Sequence, residues 1–161
     1  MISAIKRYGQ KLSFPVFLLL MFFSCSPSEK EKKVLETGNS ITQVNLSYIG
    51  GSAGDYKIIK ITKDSIHSEK GTTLNKTHKE WHAAISKETW KKLIALIDIK
   101  TLDDIKSSPS AQFVDGVDET FQIKTPKKSH VYVNAYKDTA NYRPLYHFKT
   151  QLKKILPKEY K

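Results

Sequence analysis

Residues 44–61 read Val44-Asn45-Leu46-Ser47-Tyr48-Ile49-Gly50-Gly51-Ser52-Ala53-Gly54-Asp55-Tyr56-Lys57-Ile58-Ile59-Lys60-Ile61. Val44, Leu46 and Tyr48 alternate with Asn45 and Ser47, the period of a half-buried strand. The glycine-rich stretch 50–54 breaks that period, and the isoleucine-rich run Tyr56–Ile61 starts a second strand. Two strands joined by so short a connection pair antiparallel.

Working outward, Lys63-Asp64 predicts a turn into a third strand around Ser65–Glu69. Residues 73–83 alternate with little apolar signal and form a weaker fourth. Ser86 has the chemistry of a helix N-cap, and Trp90, Leu93, Ile94 and Ile97 after it make one apolar helical stripe. Ser107–Gly116, with Pro109 and Gly116, reads as a loop. Thr120–Lys124 and His130–Tyr136 form a hairpin through Pro126-Lys127-Lys128. Pro144 then opens a helix that puts Leu145, Phe148, Leu152 and Ile155 on one side and stops before Pro157. The order β-β-β-(β)-α-β-β-α predicts an α+β fold. Residues 41–161 form a single domain whose antiparallel sheet is covered by two amphipathic helices.

The chain has 161 residues, 27 Lys/Arg against 16 Asp/Glu, and one cysteine, Cys25. One thiol excludes an internal disulfide framework and a multi-thiolate metal site. An apolar content of 39% with 11% aromatics belongs to a folded chain. Residues 1–24 divide into a basic start (Lys6, Arg7, Lys11), an apolar run from Leu12 to Phe23, and small Ser24. That run of about 12 residues is shorter than the ~20 that span a bilayer, and fits a signal peptide. With Phe22-Phe23-Ser24-Cys25 at its end, the segment resembles a bacterial lipoprotein signal. The resemblance implies that Cys25 is the lipid attachment site, carrying a diacylglyceryl group and a palmitate-type acyl chain. It also implies that the domain sits outside the cytoplasm in the cell envelope, with membrane lipid as a partner. Residues 26–40 are polar and charged and predict a flexible tether whose span is on the order of 20 Å.

Three motifs invite chemistry. Gly50-Gly51-Ser52-Ala53-Gly54 fits G-x-S-x-G, but a nucleophile elbow needs a helix after the serine, and a strand follows here. His78-Lys79-Glu80-Trp81-His82 lacks the glutamate that H-E-x-x-H needs at 79 or H-x-x-E-H needs at 81. On a strand His78 and His82 stand about 13 Å apart, so the expectation is exposed histidines and no metal. Asp115-Gly116-Val117-Asp118-Glu119 lacks the calcium-loop spacing and reads as a solvated turn. No catalytic residue, cofactor or metal is expected. The cations are scattered and carry no nucleic-acid motif.

A strand with Ser47-Tyr48-Ile49-Gly50-Gly51-Ser52-Ala53-Gly54, a second strand, a capped helix, Asp118 before a strand, a hairpin and a closing helix together resemble the emfourin group. These are small bacterial inhibitors of thermolysin-like metallopeptidases. The likeness spans about residues 44–156, its motif is Gly50, Gly51, Ala53 and Gly54, and no inhibitory residue carries over. It implies a non-catalytic binding domain for a partner such as an extracytoplasmic peptidase, with Gly50, Gly51, Ser52, Ala53 and Gly54 as the partner-binding stretch. Two other classes compete. One is a structural envelope component that meets anionic lipid or glycan through Lys127, Lys128, Lys153 and Lys154; the other is a small hydrolase or metal enzyme built on Ser52 or on His78 and His82.

Overall fold

A computed structural model describes residues 40–136 and 142–161. The leader, Cys25 and the tether up to residue 39 lie outside the described residues. The strands are β1 (Gln43–Gly50), β2 (Asp55–Thr62), β3 (Ser65–Thr72), β4 (Thr77–Ala84), β5 (Val117–Lys124) and β6 (Ser129–Val133). Two α-helices are described, α1 (Lys87–Ile94) and α2 (Arg143–Ile155). All six strands join one sheet in the order β4-β3-β2-β1-β5-β6, every pair antiparallel. The α+β class and the single antiparallel sheet are as the sequence predicts.

The alternation read from β1 decides which side is dry. Val44 and Leu46 are buried, and their cross-strand neighbours Ile61, Ile59, Ile123 and Phe121 face the same way. Ile66 and Tyr132 extend this face, and Trp90 and Leu93 of α1 with Leu145, Phe148 and Leu152 of α2 belong to the same core. The opposite side is polar. There Gln43 Nε2 donates to Asn45 Oδ1 at 2.8 Å, Asn45 Nδ2 to Gln122 Oε1 at 2.8 Å, and Gln122 Nε2 to Ser129 Oγ at 3.1 Å. This amide chain crosses β1, β5 and β6.

Ser86 caps α1 as expected, its Oγ accepting from Thr89 N at 3.1 Å. The helix stops at Ile94, and Ile97 lies beyond its end although it remains buried. An unexpected 3-10 turn follows over Ile99–Asp104, capped by Asp98 Oδ1 on Lys100 N, and it delivers fully buried Leu102. In α2 the expected stripe holds for Leu145, Phe148 and Leu152, but Ile155 is 38% exposed and Leu156 is buried in its place. The fourth strand is shorter than 73–83, because residues 73–76 turn and Lys76 takes a φ of 50°.

In the acidic run 115–119 Asp115 sits exposed in a turn, as expected, but Asp118 and Glu119 are not solvated. Asp118 is 5% exposed. Its carboxylate accepts from Ser110 Oγ at 2.6 Å, Ala111 N at 2.8 Å and Gln112 Nε2 at 3.1 Å, which ties the 107–116 segment to β5. Glu119 pairs with Lys149 of α2 at 2.7 Å, both largely shielded from solvent. Burial of this kind requires partners, and spacing within five residues could not reveal them.

Candidate functional site

One register row departs from the apolar character of the inner face. Glu119 of β5, Tyr48 of β1, Lys57 of β2, Lys70 of β3 and Lys79 of β4 stand side by side. Lys57 has the parity of Ile59 and Ile61, and Lys70 that of Ile66, so the row lies at the end of the face that carries the core. Neighbouring strands are about 4.8 Å apart, which places three lysine stems in line over about 10 Å. Like charges directly opposite each other in a sheet are destabilising.

The surroundings soften this repulsion without cancelling it. Lys57 Nζ lies 4.6 Å from the Tyr48 ring centroid and donates to the Lys161 main-chain oxygen at 3.1 Å. Lys70 Nζ lies 4.9 Å from the Tyr160 ring centroid and donates to the Glu159 carbonyl. Aromatic faces and the Glu159 carbonyl attract cations but supply no full counter-charge. The one acid in the row, Glu119, is already bound to Lys149. Among the described residues, Lys57, Lys70 and Lys79 form no ion pair with an acidic side chain. Burial holds the Lys57 pKa below the ordinary lysine value, and the nearby Lys153 and Lys70 charges push it further the same way.

A cleft of about 410 Å³ opens at these strand ends, with Lys57, Lys70 and Lys79 on its wall beside Tyr56 and the hydroxyl residues Thr72 and Thr77, and Asp55 as its only carboxylate. The lining is mostly the apolar parts of these side chains, and what favours an anionic group there is the excess of lysines over acids among them.

The glycine-rich stretch leads into Asp55 at the same strand ends and does not itself line the cleft. Thr73 N donates to Gly54 O and Leu74 N to Ala53 O, both at 3.1 Å, so the β1–β2 and β3–β4 turns are tied together. Gly50 has its own reason inside the fold. Its φ is 142°, and a Cβ there would stand 2.1 Å from the Gly116 carbonyl oxygen, so the 107–116 segment already occupies the space that the missing side chain frees. Gly51 and Gly54 also take positive φ. Ser52 is exposed at the tip and a strand follows it, as the sequence predicts. Of the lysines named from sequence, Lys153 acts on Lys57. Lys127 and Lys128 lie at the opposite strand ends, where Lys128 pairs with Asp103 at 2.5 Å.

Sequence reasoning missed Lys57, Lys70 and Lys79 as a group. The available signal was parity, since a lysine in phase with Ile59 and Ile61 points at the core face. No described helix is long and apolar enough to cross a membrane. A scan against known protein families gives no match to this chain, and a search of curated proteins gives none either.

Proposed function

We propose that this domain is a non-catalytic binding module whose Lys57–Lys70–Lys79 cleft takes a phosphate-bearing anionic ligand, and that acylated Cys25 holds the module on a membrane of the cell envelope. The observation that carries the reading is the row of three lysines on adjacent strands whose only in-row acid is committed elsewhere. At Lys79 the fold gains nothing from such an arrangement; a bound anion turns the repulsion into attraction. In this reading α1 and α2 cover one face of the sheet, in the order read from the sequence, and the cleft is the uncovered end of that face.

The test uses the purified protein with Cys25→Ser, so that acylation does not itself carry it to lipid. Free pyrophosphate and phosphatidylglycerol vesicles are the two ligands, with zwitterionic vesicles as the blank. Salt-sensitive binding to one or both that disappears in the Lys70→Gln/Lys79→Gln variant is expected. Vesicle binding without pyrophosphate binding assigns the ligand to lipid. Equal binding by the variant, or no binding to either ligand, refutes the reading. Inhibition of a thermolysin-like peptidase that survives in the variant favours the emfourin-like alternative, with its contact at Gly50–Gly54.

A further inference from the structure

Away from the lysine row, on the polar face of the sheet, the register assembles a different group. The rows here are Tyr56–Gly71–His78, Ile58–Glu69–Glu80 and Lys60–His67–His82, running across β2, β3 and β4. Two carboxylates, Glu69 and Glu80, therefore face each other directly, a repulsive pair unless a cation lies between them. His78 Nε2 is 2.6 Å from Glu80 Oε1. One donor atom from each of Glu69, His78 and Glu80 lies within 4.8 Å of the others.

We propose that Glu69, His78 and Glu80 form a site for one divalent transition-metal ion of the Zn²⁺ type at the β3–β4 edge of the sheet. The ligand set is one imidazole and two carboxylates, which suits zinc and its neighbours and is a poor match for calcium or magnesium. Bonds of about 2.1 Å in a tetrahedral site put ligand atoms about 3.4 Å apart. The three donors reach that spacing by small rotations of side chains that are exposed or half-exposed.

The residue behind the histidine makes the cluster more than a chance grouping. Tyr56 OH lies 2.7 Å from His78 Nδ1 and 3.5 Å from the Thr77 carbonyl oxygen. In the metal-free protein the 2.6 Å contact has Nε2–H donating to Glu80, with Nδ1 accepting from the Tyr56 hydroxyl. A metal ion would displace the Nε2 proton, and the hydroxyl, turned to the Thr77 carbonyl, would then accept from Nδ1–H. Metal-binding histidines are held by such a second contact. Tyr56 reaches across β3 only because residue 71 is glycine. A Cβ at Gly71 would stand 2.6 Å from the Tyr56 hydroxyl and 2.0 Å from Thr77 O. The sequence expectation of no metal rested on the distance from His78 to His82; the partners that matter here are one strand over and two residues on. His67 and His82 pair in the next row of the same face and are not among these three donors.

The test is a Zn²⁺ titration of the purified full chain, first stripped with chelator, in competition with a chromophoric chelator. One ion per chain is expected, with affinity lost in His78→Ala and in Glu80→Gln, roughly tenfold or more weaker in Tyr56→Phe, and unchanged in His147→Ala on α2. Circular dichroism and a metal-free melt of each variant separate lost ligation from lost folding, and Glu80→Gln keeps the side-chain shape if His78→Ala unfolds. Undiminished Zn²⁺ binding by the folded Glu80→Gln and His78→Ala proteins overturns the proposal. Failure of the parent chain to bind Zn²⁺, or binding lost only in Cys25→Ser, overturns it too. Because the lysines are untouched, pyrophosphate and vesicle binding are read independently of this result.

Discussion

Replacing Lys79 with glutamine isolates the electrostatic cost of the lysine row. β4 is an edge strand, so Lys79 has a single neighbour in the row, Lys70, and it is exposed. Two unit charges about 5 Å apart in water repel by roughly 0.8 kcal/mol, and counter-ions reduce this further. Lys79→Gln should therefore stabilise the ligand-free protein by about 0.5 kcal/mol at low salt. Lys70→Gln removes two such repulsions but also the contacts of Lys70 with the Tyr160 ring and the Glu159 carbonyl, so its net effect should lie near zero. Urea denaturation read by tryptophan fluorescence, at low salt and near 1 M NaCl, where the Debye length falls to about 3 Å, separates charge from packing. The Lys79→Gln gain should fade at high salt. A loss of stability, or a gain indifferent to salt, would refute the argument that the row is held together against its own charge.

Four further outcomes follow from other sites. Gly50→Ala, with a φ of 142° and the Gly116 carbonyl in the way, should cost about 2–4 kcal/mol in the same denaturation assay. Ser68 is fully buried and its Oγ finds no hydrogen-bond partner among the described residues, so Ser68→Ala should raise stability by about 1 kcal/mol. Asp118→Asn keeps one acceptor oxygen but sets an amide NH₂ against either Ala111 N or the Ser110 Oγ and Gln112 Nε2 pair, and should cost about 2 kcal/mol, with faster hydrogen exchange at Ala111 N as its local signature. Burial, helped by the Asp103 charge, pushes Tyr132 up to about 12. Since that shift favours the protonated phenol in the folded state, its contribution is complete below the unfolded value near 10 and is lost as pH rises from there to about 12; a phenolate absorbance titration of Tyr132→Phe against the parent checks it.

The sheet was legible in the sequence wherever one strand face was apolar and the other polar. Val44 and Leu46 against Asn45 and Ser47 needed nothing beyond their own alternation. Ser86, Leu145, Phe148 and Leu152 were legible for similar local reasons, a cap hydroxyl and a helical stripe. β4 was faint because it is an edge strand whose inward positions include Lys79 and whose partner on one side is solvent. Leu102 was missed because a 3-10 turn has no long apolar period to detect. Ile155 misled because the stripe was extended one turn past the point where Leu156 takes over the core. Both candidate sites are products of register. Lys57, Lys70 and Lys79 become neighbours only once the β2–β3 and β3–β4 turns fix the pairing, and the same holds for Glu69, Glu80 and His78. A slip of one residue would send each set to the other face, and a linear reading does not resolve such a slip.

The place of β1 in the sheet also orders the folding of the chain. β1 through β4 form a meander joined by short turns, and loop closure among them is fast and local. β5, the other neighbour of β1, arrives only after α1 and the whole 107–116 segment have been laid down. Until it does, the strand that carries Val44 and Leu46 shows a bare row of main-chain donors and acceptors next to unburied apolar side chains. Any extended segment of another chain can pair there first. Refolding yield should therefore fall with protein concentration. Asp118, by anchoring the incoming 107–116 segment to the first turn of β5, sets how long that window stays open.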